Sequence, residues 1–306
     1  MPNLVQNHTG PAFQQITIDA ALLQLKILIE NSIQQGGSSA KTSVIRSQNG
    51  IKIIHDAVKS DLLVTGIHPS LINPDKKHLE RVIYPPSRVY NRPRRLYDKE
   101  HQLAGYLKTK KQDISVIPRN IPITPTNLNY PTELNGYSDF YGDNLTEAIL
   151  SINVRSQLSS TSKNYDTLYE RTFAEPLNLH LRCPNMVLGE LYLIMLNEYD
   201  SNQVKNNTVA YVQMSAERLE KYIKAFQAIN GRNNTGTNYY HYERCCLLIV
   251  NFQPAVPIVY DTSAALIQDG YLPNTSTVTL HSLDYVTFIS DLLAIYSTRF
   301  PNNTFS

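Results

Sequence analysis

The chain lacks most of the features that announce a specialised protein class. It has three cysteines, Cys183, Cys245 and Cys246, and no C-x-x-C pair, so a thiolate zinc site is not expected. Cysteine use this sparse fits a reducing, cytoplasmic compartment. No stretch approaches the ~18 consecutive apolar residues of a membrane span. The opening residues, MPNLVQNHTG, carry neither the charged n-region nor the apolar core of a secretion signal. Triplets such as Asn144-Leu145-Thr146 and Asn274-Thr275-Ser276 are therefore read as chance rather than as glycosylation sites. There is no internal repeat, and no two histidines fall at a zinc spacing. Ser156, Ser159 and Ser160 lack a nearby histidine and a G-x-S-x-G elbow, so nothing points to a covalent serine intermediate. The formal net charge is only +2, so overall charge does not mark a polyanion binder.

The charge is nevertheless unevenly spread. Lys76, Lys77, Arg81, Arg88, Arg92, Arg94, Arg95, Lys99, Lys108, Lys110 and Lys111 crowd one window, against Glu80, Asp98 and Glu100. A local positive patch can steer an anionic polymer while the whole molecule stays near neutral. A solvated basic loop is the plainer reading of the same residues. Within the window, Arg88 to Tyr97 mixes cations with Tyr90, Asn91 and Tyr97, a composition suited to phosphate contact and base readout.

With 306 residues, 42% of them hydrophobic, the chain can bury one large core or two modest ones. Asp19 to Gln35 reads as an amphipathic helix with Asp19 as cap, Leu22, Leu25, Ile29 and Ile33 as its apolar stripe, and Gly36-Gly37 as its stop. A second helix is expected over Ser47–Leu63, a proline-broken irregular stretch over Ile67–Pro93, and a short basic helix over Arg94–Lys110. From Asp113 the texture changes. Ile114–Ile117, Glu147–Val154, Val187–Leu196 and Arg244–Phe252 read as strands. Asn164–Leu179 (kinked or cut short by Pro176), Ser215–Asn230, Ser263–Asp269 and Ser282–Phe300 read as helices. That order implies an α/β arrangement around a largely buried sheet, with a mainly helical N-terminal region over residues 1–110 and an α/β core over 111–306.

The most informative segment is Leu145 to Asp200. An apolar run, Ala148 to Val154, delivers Arg155. The next helix carries Glu170, Arg171 and Glu175. The second apolar run holds Glu190 between Leu188 and Leu191. Glu175 sits among Phe173, Ala174, Leu177 and Leu179, on a helix apolar enough to pack on the sheet. A carboxylate at Glu190 costs several kcal/mol of dehydration unless Arg155, Arg171 or a metal answers it. A structural ion pair is the plainer reading of Glu190, and solvated surface charge that of Glu170. His180 is expected to be structural, while His241, among Tyr239, Tyr240 and Tyr242, is a weaker candidate for contact with a base or sugar.

The blocks Ser151-Ile152-Asn153-Val154-Arg155-Ser156-Gln157-Leu158-Ser159-Ser160 and Phe173-Ala174-Glu175-Pro176-Leu177-Asn178-Leu179-His180 resemble type II restriction endonucleases built on the PD-(D/E)xK nuclease core. They are also similar to the ApaLI-like group of those enzymes. The resemblance covers roughly Lys110 to Phe300. It implies a mixed central sheet flanked by helices, with one strand bearing an acid and its neighbour an acid–x–base triplet. It also implies Mg²⁺ held by carboxylates, a basic residue beside the scissile phosphate, and cleavage of double-stranded DNA by a two-fold dimer. The matching triplet is Asn153-Val154-Arg155, so Asn stands where an acid is expected and Arg where Lys is usual. Arginine stays protonated and cannot act as a general base, but it can clamp a phosphate.

The missing acid is then sought on the following helix, at Glu170 or Glu175. For the upstream acid the order of preference is Asp143, then Asp113, with Asp139 and Glu147 also considered. The expected metal ligands are Asp143, Glu175 and Glu190. The expected DNA contacts are Arg88, Arg92, Arg94, Arg95, Lys110, Lys111, Gln157 and Lys163. Two other outcomes stay open: a DNA-binding relative whose nuclease core has decayed, favoured by Asn153, and a structural or assembly protein.

Overall fold

The computed structural model describes residues 15–74, 100–158, 165–302 and 305. The chain opens with two packed helices, α1 (Ile18–Arg46) and α2 (Asn49–Val64). Thr17, not Asp19, caps α1, its side chain accepting from the Ala20 N–H at 3.2 Å. Leu22, Leu25, Ile29 and Ile33 are buried, as their spacing requires. The expected stop at Gly36-Gly37 is instead a kink. Gly37 takes φ +56, and helical geometry resumes to Arg46.

After a 3-10 turn comes β1 (Ile72–Asn73), and then β2 (His101–Ala104) and β3 (Thr109–Gln112) form an antiparallel hairpin. This corrects the expected basic helix over Arg94–Lys110 for its described part. Leu103 and Ala104 are buried, and Lys110, opposite Leu103, is half-buried, while Lys111, opposite exposed Gln102, faces solvent, the alternation of a two-sided ribbon. β4 (Ile114–Val116), β5 (Thr126–Asn127) and β6 (Ser138–Asp139) follow. Then comes α3 (Gly142–Ala148), running straight into β7 (Leu150–Gln157). The strand expected from Glu147 thus starts three residues later, and Asp143 and Glu147 belong to a helix. Next are α4 (Tyr165–His180), β8 (Val187–Met195), β9 (Asn197–Tyr199), α5 (Ser201–Lys205) and β10 (Tyr211–Gln213). Pro176 lies inside α4, which continues past it to His180. The chain ends with α6 (Ala216–Ile229), β11 (Arg244–Asn251), β12 (Ile258–Tyr260), α7 (Ser263–Gln268) and α8 (Phe288–Arg299).

The central sheet has strand order β1-β4-β7-β8-β11-β12. β7, β8 and β11 are mutually parallel, while β1, β4 and β12 run antiparallel to their neighbours. On one face Ile152, Val154, Leu191, Leu193 and Leu248 share a cluster with Leu25 of α1, Ile54 of α2 and Leu292 of α8. On the other face Leu188, Tyr192, Cys245 and Leu247 meet Leu179 of α4 and Tyr222, Ile223 and Phe226 of α6. Helices cover both faces, so β8 and β11 are buried at every position and read as continuous apolar runs. The fold is therefore mixed α/β. The division expected between residues 110 and 111 falls inside β3, and α1 and α2 belong to the same apolar cluster as the sheet.

Candidate active site

β4 pairs only with Leu150, Ser151 and Ile152 of β7. Beyond that point no described strand continues the ladder on this side of β7, and Asp113 takes the next step instead. Its Oδ2 accepts the Val154 N–H at 2.8 Å, which satisfies a backbone donor and fixes the carboxylate beside the triplet. On the other side β7 and β8 pair in register, Asn153 with Glu190 and Arg155 with Tyr192. Alternate residues of a strand share a face, so Asn153, Arg155 and Gln157 lie on the same side as Glu190 and Tyr192.

Arg155 joins two acids from two elements. Its Nη2 donates to Glu175 Oε2 from α4, and its Nη1 stands 3.1 Å from Glu190 Oε1. Lys110 of β3 adds a second cation, with Nζ 2.9 Å from Glu175 Oε2. The Arg155–Glu190 contact lacks aligned hydrogen bonding, although the two groups are buried against each other. Glu175 Oε1 and Asn153 Nδ2 are buried and unpartnered, while the buried Tyr242 hydroxyl bonds toward Glu190.

These groups shift one another. Complete burial pushes the Glu190 carboxyl up to about 8, against the pull of Arg155, and the negative charges of Glu175 and Asp113 add to the rise. Burial also raises Asp113, while the Val154 N–H and Arg155 oppose it. Burial disfavours the Arg155 cation, yet Glu190, Tyr242, Glu175 and Asp113 together hold its pKa well above the ordinary arginine value. Arg155 is therefore a permanent charge here.

A cleft of about 510 Å³ opens over this cluster. Lys110, Lys111, Asp113, Asn153, Arg155, Gln157, Arg171 and Tyr192 line one side, and Gln48, Ile51 and His55 from the α1–α2 pair line the other. Four of these side chains are obligate cations and one is a carboxylate, so the wall favours an anion.

Asp113, Asn153, Arg155, Glu175, Glu190, Lys110, Lys111 and Gln157 thus converge as the sequence suggested. Asp143 does not. It is exposed on α3, before the first residue of β7, and pairs with Arg182 Nη2 at 2.7 Å. The same guanidinium donates to buried Asp139 at 2.6 Å and, through Nη1, to the Ala104 carbonyl at 2.7 Å, so both acids belong to a local brace. Glu147 accepts from Asn185 N–H at 2.9 Å and is likewise structural. Glu170 is exposed on α4 and is not among the residues that line the cleft. Glu190 is answered by Arg155 rather than Arg171. Arg88, Arg92, Arg94, Arg95 and Lys163 lie outside the described residues.

Several cleft residues were missed from sequence, among them Gln48, Ile51, His55 and Tyr192. The available signal for His55 was its place among Ile54, Ala57 and Val58 on the buried side of α2, where a polar ring needs a reason. His180, read as structural, meets the Tyr239 carbonyl at 3.0 Å and the Met186 carbonyl at 3.2 Å through its two ring nitrogens.

Among the described residues, no three His, Cys, Asp or Glu side chains form a group that could hold a metal by themselves. The set Asp143, Glu175 and Glu190 is not assembled, because Asp143 points its charge at Arg182. The same residues include no helix long and apolar enough to cross a membrane. No protein-family model, curated protein or solved structure matches the chain.

Proposed function

We propose that the protein is a Mg²⁺-dependent endonuclease that hydrolyses phosphodiester bonds of double-stranded DNA, with the fold and site of the restriction-endonuclease type. The observation that carries the reading is the meeting of Asp113, Glu175 and Glu190 around Arg155, with Asp113 and Arg155 lining a cation-rich cleft and the two glutamates buried behind them. An acid opens one strand, the Asn153-Val154-Arg155 triplet lies on its antiparallel neighbour, and the following helix returns a glutamate to the triplet's side chain. That is the layout the resemblance implies, with Asp113 in the role first given to Asp143 and Glu175 in place of the acid absent at Asn153.

Mg²⁺ suits the donor set. It is a hard ion that takes one or two protein carboxylates and completes its shell with water and phosphate oxygens. Asp113 and Glu175 would hold it: the first lines the cleft, and the second has a buried oxygen with no donor on it. Once bound, the ion supplies Lewis-acid stabilisation of phosphoryl charge and makes a bound water more acidic. Arg155 and Lys110 hold a nonbridging phosphate oxygen and stabilise the charge that grows on it. Glu190, fully buried behind Arg155, fixes the guanidinium rather than meeting solvent. Lys111 and Arg171 bind flanking phosphates, and a palindromic target would call for a two-fold dimer.

The test is cleavage of supercoiled and linear duplex DNA with and without Mg²⁺, using wild type, Asp113→Asn and Glu175→Gln. The expected result is metal-dependent nicking by wild type, with loss of at least about two orders of magnitude in either variant and duplex binding retained. Tight duplex binding with no cleavage under any divalent ion would favour the second reading, a DNA-binding protein with a decayed core. Asn153 and the occupation of Glu175 by two cations support that alternative.

A further inference from the structure

Helix α4 has a face that the candidate site does not use. Leu168, Thr172, Glu175 and Leu179 are buried on its inner side, Glu175 reaching Arg155. On the opposite side Tyr169, Phe173, Leu177 and Leu181 recur every fourth residue, a spacing that sets them in one row along the helix. Leu181 follows the last residue of α4 and keeps the helical bond, its N–H donating to the Leu177 carbonyl at 3.0 Å. Tyr169, Leu177 and Leu181 are 47%, 38% and 44% exposed. Phe173 is half-buried, with the Tyr169 ring at 4.8 Å and the Tyr240 ring stacked on it at 4.9 Å. At a rise of about 1.5 Å per residue the row is about 18 Å long.

A second element extends it. The turn of the β2–β3 hairpin is fastened to the last turn of α4 by Asn178. The Asn178 Oδ1 accepts the N–H groups of Leu107 and Lys108 at 2.8 and 3.2 Å, and its Nδ2 donates to the Lys108 carbonyl at 3.0 Å. The Asn178 carbonyl accepts the Tyr106 N–H at 2.7 Å. Gly105 permits the approach, since a Cβ there would stand 2.2 Å from Asn178 Nδ2. These bonds hold Leu107 at the Leu177–Leu181 end of the row, yet its side chain is 53% exposed. A lone exposed leucine needs no explanation, but a row of large apolar side chains with a further one fastened at its end does.

We infer that this face is a two-fold interface between copies of the chain, with α4 packed antiparallel on α4 of a second copy. The charges around the row select that occupant. Asp166 and Glu170 are exposed at one end and Lys108 at the other. Among the described residues neither Glu170 nor Lys108 is drawn into an ion pair. An antiparallel two-fold carries the acidic end of each copy over Lys108 of the other, so one patch satisfies both copies, as an isologous contact requires. Rows spaced by four residues on two helices interlock directly. Two acids against one lysine make the face a poor seat for a nucleic acid. The use of the pair rests on the endonuclease reading: Glu175 and the row lie on opposite sides of one helix, so pairing leaves both Arg155 clusters open, one for each strand of a duplex.

The experiment measures self-association of the full chain without DNA, by sedimentation velocity from about 1 to 100 µM. It compares wild type, Leu177→Glu, Glu170→Lys, Lys108→Glu, and the last two changes combined. The expected result is a wild-type dimer and a dimer dissociation constant at least about 30-fold higher in Leu177→Glu. Either charge reversal should raise it about 3- to 10-fold, and the combined variant should recover most of that loss. Melting curves check that each variant is folded, and if Leu177→Glu is not, the charge exchange decides alone. With plasmid and Mg²⁺, wild type should linearise where Leu177→Glu accumulates nicked circles. A wild type that stays monomeric, or a dimer indifferent to all of these substitutions, overturns the inference and leaves the endonuclease reading to its own test. Failure of the combined variant to recover overturns the antiparallel two-fold. A dimer that responds as expected but cuts no DNA supports the interface and removes the nuclease reading.

Discussion

Asn153 and Glu190 stand opposite each other in the parallel ladder of β7 and β8, so the carboxylate missing from the triplet returns one strand away. Asn153 Nδ2 is buried without a hydrogen-bond partner, and Glu190, with no exposed surface, has only Tyr242 and Arg155 against it. The consequence is measurable as linkage. Glu190 titrates near 8 in the fold against an ordinary glutamate value of 4.5. The folded state therefore binds this proton more tightly than the unfolded chain. Its contribution to stability is full below pH 4.5 and is lost as pH rises toward 8. Urea unfolding of wild type and Glu190→Gln across that window should show wild type losing stability relative to the variant. Two parallel curves would mean that Glu190 is charged and paired throughout.

Asp143 provides the contrasting case. Its carboxylate is 59% exposed and bound to Arg182, so the pair contributes little. Asp143→Ala should change unfolding free energy by no more than about 1 kcal/mol. Duplex binding and metal-dependent cleavage should be those of wild type. Asp113→Ala should abolish cleavage under the same conditions. If the two variants lose activity together, the assignment of the upstream acid to Asp113 fails.

The contrast also shows how far the residues could be read alone. Continuous apolar runs located β7, β8 and β11 because both faces of a covered parallel sheet demand them. Arg155, Glu175 and Glu190 were visible because charge inside or beside such runs must be answered. Asp143 and Asp113 could not be ranked, since both precede a strand. What separates them is that Gly142, at φ +71, starts a helical turn before β7, whereas Asp113 is held by the Val154 amide. The β2–β3 hairpin was hidden by its lysines, which suit a helix as well as a solvated ribbon. His55 was hidden because the partner that gives it meaning, Val154, is about a hundred residues away in sequence.

The cleft cations should act on DNA without regard to sequence. Lys111 and Arg171 are exposed and face the cleft, free of the carboxylates that engage Lys110 and Arg155. Each phosphate contact releases condensed counterions, so removing both should lower the slope of log affinity against log salt by about 1–2. Lys111→Ala with Arg171→Ala should weaken binding to two unrelated duplexes by the same factor, as read by fluorescence anisotropy. A change confined to one duplex would place these residues at base edges instead of phosphates.

A second buried acid separates stability from catalysis. Glu243 is fully buried, and its Oε1 accepts from Arg232 Nη1 at 3.0 Å and Arg299 Nη1 at 2.6 Å. Its Oε2 accepts the Leu188 N–H at 2.8 Å and faces His180 Nε2 at 3.4 Å. One carboxylate thus ties the start of β8, the end of α4 and the end of α8. Burial would raise its pKa, but His180, Arg299 and the Leu188 N–H outweigh that and hold it below the ordinary 4.5. A depressed folded pKa gives stability that is full above 4.5 and lost as pH falls through the lower folded value. Glu243→Gln leaves Arg232 and Arg299 buried with half of their partner and should cost about 3–5 kcal/mol near neutral pH. The penalty should shrink as acid protonates the wild-type carboxyl. Calorimetry at pH 7 and below pH 4 measures both effects, and duplex affinity at low temperature should be unaltered because Glu243 is not among the residues lining the cleft. An unchanged melting temperature at pH 7 would show that hydrogen bonds available to the amide suffice, and that charge at this junction is dispensable.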